Sequence, residues 1–166
     1  TEKKAVVVRS DAHVTINGAG YISGSASMNK TGNGTLTIVS DQQYEGATVL
    51  HKGTYEFSSL KNGGEASGLG MSQEFAQNWV MDGGTYKYTG ASTATNRSAK
   101  LYNDTELNIA NSGTVVTMNG SIEGQGNLVI GIVRFQLQVR RYTGENREQR
   151  YEVRRLQCIF VRQESV

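Results

Sequence analysis

Catalysis needs a nucleophile beside a base, paired carboxylates or a cluster of metal ligands, and this chain offers few candidates for any of them. Asp11 and His13 alternate onto one face of a strand, with Ser10 adjacent. A Ser/His/Asp triad needs its nucleophile held against the base by tertiary geometry, and no G-x-S-x-G turn is present to do this. A solvated strand edge is the simpler reading. The two histidines, His13 and His51, have neither a cysteine nor a second histidine beside them, so no metal site is expected. Acids are sparse: Asp41 with Glu45 in one turn, Asp104 with Glu106 in another, and Asp82 and Glu123 alone. Asp104 and Glu106 are two residues apart and share a strand face, which makes them the best carboxylate pair available. No calcium-binding D-x-D-x-D-G loop or G-G-x-G-x-D repeat is present.

Other motifs carry less. Gly63-Gly64 and Gly68-Leu69-Gly70 lack the Lys-Ser/Thr that follows a phosphate loop, so no nucleotide or other cofactor is expected. The last 35 residues hold eight of the ten arginines, interleaved with Tyr142 and Tyr151. Four acids among them and the absence of an RNA-binding motif argue against a nucleic-acid partner. The single cysteine, Cys158, excludes an internal disulfide framework and stands beside Ile159 and Phe160 as a small packed hydrophobe. The longest unbroken apolar run is Cys158-Ile159-Phe160-Val161, far short of the roughly 18 residues of a membrane helix, and no signal-peptide pattern precedes the first strands.

Short strands must position these residues. Val14-Thr15-Ile16, Thr35-Leu36-Thr37-Ile38, Thr54-Tyr55-Glu56-Phe57, Thr85-Tyr86-Lys87-Tyr88, Glu106-Leu107-Asn108-Ile109 and Asn127-Leu128-Val129-Ile130 alternate β-branched or aromatic residues with polar ones. Glycine and asparagine punctuate them and supply the φ > 0 positions of tight turns. Met71–Trp79 departs from this pattern, with Met71, Phe75 and Trp79 four apart and Ser72 placed to cap a short helical turn. Trp79 then has two readings. It is an aromatic platform for a sugar, or with Phe75 it plugs the core between two strand sets, the commoner use of such residues.

The 166 residues include 20 glycines and no proline, and both facts fit stacked short strands. Nineteen glycines and all seven lysines precede Ile132. Residues 1–131 carry a net charge of −2 and residues 132–166 of +4. Weak self-similarity runs at an offset near 100: Ile16-Asn17-Gly18 with Met118-Asn119-Gly120, Met28 with Leu128, Tyr55-Glu56-Phe57 with Tyr151-Glu152-Val153, and Val6 and Val8 with Leu107 and Ile109. The expected organisation is a repeat region over 1–131, about one and a third copies of the unit, followed by a degenerate arginine-rich continuation or C-terminal cap over 132–166. A helix over Glu145–Val161 and a shifted reading frame remain alternatives for that end.

The segments Lys30-Thr31-Gly32-Asn33-Gly34-Thr35-Leu36-Thr37-Ile38, Tyr44-Glu45-Gly46-Ala47-Thr48 and Gly53-Thr54-Tyr55 resemble, in order and spacing, the autotransporter-associated β-strand repeat. Gly83–Ala91 and Gly120–Leu128 look like that family's linking and lead-in stretches, and the likeness covers residues 14–131. At Ile130-Gly131-Ile132-Val133-Arg134 the next K-T-G segment is missing. The resemblance implies an all-β fold, a right-handed single-stranded parallel β-helix (a β-solenoid), of the passenger type that Gram-negative bacteria secrete or display. It implies a non-catalytic scaffold or stalk at the cell surface, part of a larger polypeptide, with a polysaccharide or host glycan as partner. The residues singled out as glycan-contact candidates are Trp79, Tyr86, Tyr88, Asp104 and Glu106. The alternative is a fragment of a parallel β-helix polysaccharide lyase or hydrolase, in which Asp104 and Glu106 would be the acidic pair. Coils of about 20–25 residues would number about seven.

Overall fold

The computed structural model describes residues 4–132, 137–144, 152–154 and 161–163, with side chains described through residue 131. The chain winds as a parallel β-solenoid in which each coil lays one strand on each of two long sheets. The first coil holds β1 (Ala5–Arg9) and β2 (Val14–Ile16), with a short β3 (Ser23–Gly24) on a third side. Next come β4 (Ser27–Thr31), β5 (Thr35–Ile38) and β6 (Gln43–Tyr44), then β7 (Thr48–Leu50) and β8 (Thr54–Phe57). The fourth coil is β9 (Trp79–Asp82), β10 (Thr85–Tyr88) and β11 (Thr93–Thr95), and the fifth β12 (Ala99–Asn103) and β13 (Thr105–Ile109). In the sixth coil a long β14 (Val116–Gly124) precedes β15 (Leu128–Ile132).

One sheet runs β1-β4-β7-β9-β12-β14 and the other β2-β5-β8-β10-β13-β15, every neighbouring pair parallel. Beyond them, β16 (Leu137–Gly144) pairs with β14, β17 (Glu152–Arg154) with β15 and β18 (Val161–Gln163) with β16. Glu152–Arg154 is thus strand where a helix over Glu145–Val161 was one sequence reading. Residues 145–151 and 155–160, including Tyr151 and Cys158, lie outside the described residues.

Parallel stacking in register places like residues on like. Leu36, Tyr55, Tyr86, Leu107 and Ile130 form one inward column, and Ile38, Phe57, Tyr88 and Ile109 a second. Their alternate neighbours point outward, so the interior closes around the even positions of each short run. Within the columns Tyr55 and Tyr86 rings lie 5.5 Å apart and Phe57 and Tyr88 5.4 Å. Val6, Val8, Val14 and Ile16 of the first coil are only half-buried against this core.

The corners show why glycine is frequent. Gly53 sits at φ +78°, and a Cβ there would lie 2.4 Å from the carbonyl oxygens of Gly32 and Gly34 in the coil before. Gly84, at φ +70°, would in turn meet Gly53 O at 2.4 Å. The corner is thus a column of backbone on backbone with no room for a side chain.

At several of its pairs the sequence offset near 100 crosses from one sheet to the other. Register steps carry Asn29 to Val49, Val80, Lys100 and Glu123, whereas Leu128, the sequence partner of Met28, lies on the opposite sheet. Val6 and Val8 likewise lie on the sheet opposite to Leu107 and Ile109. Short alternating strands look alike on either face, so similarity of pattern does not fix which face a strand takes.

Candidate interaction surface

The three aromatic residues assigned to glycan contact lie inside the coil. Trp79, Tyr86 and Tyr88 are 1%, 0% and 3% exposed. The Trp79 ring stands edge-on to Tyr86 at 5.8 Å and 89°. This corrects the expectation: these rings fill the core, and none offers a face to a sugar. Their position follows from register, because Tyr86 and Tyr88 stack on Tyr55 and Phe57.

Asp104 and Glu106 do lie outside the core, but they are not brought together as a reacting pair. Asp104 Oδ1 accepts from the backbone N–H of Asn127 at 2.8 Å and from its Nδ2 at 2.9 Å, tying one corner to the next coil. Asp11 does the same for Asn33 N at 2.7 Å. Glu106 accepts from Asn108 Nδ2 at 3.1 Å. The Ser10, Asp11 and His13 side chains diverge: Ser10 Oγ bonds Ala12, and His13 Nε2 lies 2.7 Å from Thr37 Oγ1. His51 Nδ1 meets Asp82 Oδ2 at 2.7 Å, and Asp82 accepts from Asn103 across the next coil. Among the described residues no three His, Cys, Asp or Glu side chains gather as a metal site.

The feature that sequence reasoning missed is built around Arg97. The coil step is 19–23 residues at most places but 31 between the third and fourth coils. The extra residues form a loop, 58–78, that supplies the third side of the solenoid between β6 and β11. Ser67 bridges to Gln42, and Met71 N donates to Tyr44 O at 2.8 Å. The Arg97 side chain, 1% exposed, points into the loop. Its guanidinium donates to the carbonyls of Lys61 (3.0 Å), Glu65 (3.2 Å), Gly70 (3.0 Å) and Ser72 (3.0 Å), and to Ser72 Oγ (3.1 Å). Five planar N–H groups in a fixed fork suit such a ring of acceptors. Burial pushes the Arg97 guanidinium below its ordinary pKa, and the fields of Tyr44, Glu65 and Glu74 oppose that shift.

Core hydroxyls hold the loop from the other side. Tyr55 donates to Gly68 O at 2.7 Å and Thr48 Oγ1 to Leu69 O at 3.0 Å. Thr48 has then used its proton, so Tyr44, 2.6 Å away, is the donor in that pair. Gly70, at φ +75°, packs against the Tyr44 ring, where an added Cβ would lie 2.6 Å from a ring carbon. Asn96 Oδ1 accepts from Gly63 N at 2.8 Å, and Asn62 Oδ1 accepts from Asn96 N at 2.9 Å. Lys61 pairs with Asp41 at 2.5 Å. Burial disfavours the ionised Asp41 carboxyl, but hydrogen bonds from Lys61 and Ser59 together with the Lys61 charge outweigh it and hold the pKa below the ordinary value.

The expected helical turn is present as a 3-10 turn at Ala76–Asn78. Ser72 does not cap it. Ser72 is buried and serves Arg97, while Phe75 occupies the cap position without a side-chain bond. Phe75 does not join Trp79 in the core either, being 55% exposed on the outer edge of the loop.

A second internal cation explains the lysine of the K-T-G segment. Lys30 is fully buried in the inward row, and its Nζ donates to Thr31 O (2.7 Å) and Gly32 O (2.9 Å) and approaches Ser10 O (3.4 Å) and Lys52 O (3.5 Å). It therefore reaches carbonyls of three successive coils.

Fold and corner chemistry together define the class: a parallel β-solenoid, six coils through Ile132, whose K-T-G lysine and corner glycines have structural roles. The chain is 38% identical over 105 residues, 62% of its length, to the adhesin BmaC autotransporter of Brucella suis biovar 1 (strain 1330), and spans 3% of that relative. The likeness to passenger-type β-helix repeats read from the sequence thus agrees with both the architecture and the relative. No family model and no solved structure matches the chain.

Proposed function

We propose that this chain is a non-catalytic β-helix module of a larger autotransporter-like protein displayed at the cell surface, where it acts as a scaffold and contacts a polysaccharide or host glycan. The observation that carries the reading is the parallel coil stack in a chain similar to an autotransporter adhesin. A solenoid suits the task because each coil needs only its neighbours, so reach grows without a larger core. The lyase or hydrolase alternative needs Asp104 and Glu106 to act together. Asp104 is instead committed to Asn127, and no observation favours that reading. The same proposal takes 132–166 as a further, degenerate stretch of the stack, supported by the pairing of β16 and β17 onto β14 and β15. Labelling intact cells of the source organism with antibody raised against this chain tests surface display. The expected result is labelling without permeabilisation, abolished by external protease; labelling only after permeabilisation would refute it.

A further inference from the structure

Five large hydrophobic side chains are exposed among the described residues: Val7, Tyr21, Val39, Phe75 and Tyr102. Single exposed apolar residues are ordinary on protein surfaces, so exposure alone decides nothing. Phe75 differs in its setting. Every second residue from Gln73 to Gln77 is exposed, while Ser72 and Ala76 are buried. Gln73, Phe75 and Gln77 therefore form an outward row, aromatic at its centre and amide at both ends. No hydrogen bond occupies either glutamine side chain, in a loop where Asn62 and Asn78 both spend theirs internally.

The backbone beneath the row is tied down from both sides. Gly64 N donates to Ser72 O at 2.9 Å, Asn78 Nδ2 to Gln73 O at 3.1 Å and Ser98 N to Glu74 O at 2.8 Å, and Arg97 holds the Ser72 carbonyl from below. A ring held out on a backbone this constrained loses little freedom on binding, which is what separates a recognition surface from a mobile side chain.

We propose that this ledge is the glycan contact of the module: the C–H face of a neutral hexose stacks on the Phe75 ring, and its hydroxyls bond the Gln73 and Gln77 amides. The assignment rests on the glycan-contacting reading above and replaces the buried Trp79, Tyr86 and Tyr88 as its aromatic component. Neutral sugar is specified by charge. Glu74 lies between Gln73 and Phe75, Lys61 is neutralised by Asp41, and the Arg97 cation lies below the surface within backbone carbonyls. A sulfated or sialylated glycan would approach a carboxylate, whereas a neutral hexose carries no charge for it to repel. The amides supply both donors and acceptors, which matches hydroxyl groups. A flat apolar protein contact would leave those amides buried without partners.

The test is a printed array of neutral, sialylated and sulfated glycans probed with the whole chain. The strongest neutral glycan is then titrated against wild type, Phe75→Ala and the double variant Gln73→Ala/Gln77→Ala. Expected are binding to neutral hexose-containing glycans, weakening by roughly tenfold in Phe75→Ala, and thermal midpoints unchanged in both variants because all three side chains are exposed. Binding to the same glycan that Phe75→Ala leaves intact would overturn the ledge and leave the glycan reading standing. No binding anywhere on the array would overturn both. Binding to a glycoprotein that survives enzymatic removal of its glycans would overturn the proposal in favour of a protein partner.

Discussion

Two buried cations, neither of them paired with a carboxylate, hold backbone together at the points where the coil turns or departs from its repeat. Lys30 and Arg97 both spend their N–H groups on main-chain carbonyls. Arg97→Lys is not conservative here, because one ammonium cannot reach carbonyls spread around a planar fork. Arg97→Met should cost about 2–4 kcal/mol, since the Glu65 carbonyl loses its hydrogen bond outright and the others lose a charged donor. Arg97→Lys should fall between Arg97→Met and wild type, read by urea denaturation. Burial, above all, pushes the Tyr44, Tyr55 and Tyr86 pKa values above the ordinary 10.0. A folded-state pKa raised above the unfolded one adds stability that is fully present below pH 10.0 and is lost as pH rises through the folded value. Alkaline titration should therefore show phenolate absorbance from these residues appearing together with loss of the β-sheet circular dichroism signal.

Strands and corners differ in how legible they were. The alternating runs were readable because a period of two is what a half-buried strand requires. Thr54–Phe57 and Thr85–Tyr88 are strands with the bounds that their alternation suggests. The face each strand takes was not readable, because both long sheets bury the same kind of residue, and the similarity of Met28 to Leu128 crosses from one to the other. The loop 58–78 was legible only as a break in alternation. Its anchor, Arg97, lies outside it in sequence, so no local pattern connects them. The fate of Phe75 was misread for the same reason: spacing of four implied a helical face shared with Trp79, but the chain is extended at Phe75 (φ −63°, ψ 144°), and only Trp79 turns inward. Corner glycines make the sharpest element-scale prediction. Gly53→Ala forces a Cβ against carbonyl oxygens at φ +78° and should destabilise by roughly 2–3 kcal/mol. Gly18→Ala, at φ +101° with open space around the added carbon, should cost about 1 kcal/mol. Equal losses in the two would contradict a close-packed corner.

At the scale of the molecule the solenoid is a one-dimensional stack, and its cohesion is a sum of coil-to-coil interfaces rather than one central core. Removing residues 133–166 would expose the β14 and β15 edges to pairing with other chains. Soluble oligomers are the expected product in size-exclusion chromatography, and a stable monomer would count against the tail as part of the stack. The loop 58–78 interrupts this regularity, yet the same bonds that close each coil also close it. That loop as a built wall of the solenoid, and not a flexible excursion, is the claim on which the proposed glycan ledge depends. Amide hydrogen exchange on the intact chain tests it most directly. Gly64, Gly70, Met71 and Ser98, whose N–H groups bond within the loop or tie it to the coils, should be protected as strongly as the ladder amides of β8 and β10, by several orders of magnitude over free peptide. Exchange of these four amides at free-peptide rates, while the ladders stay protected, would contradict the account.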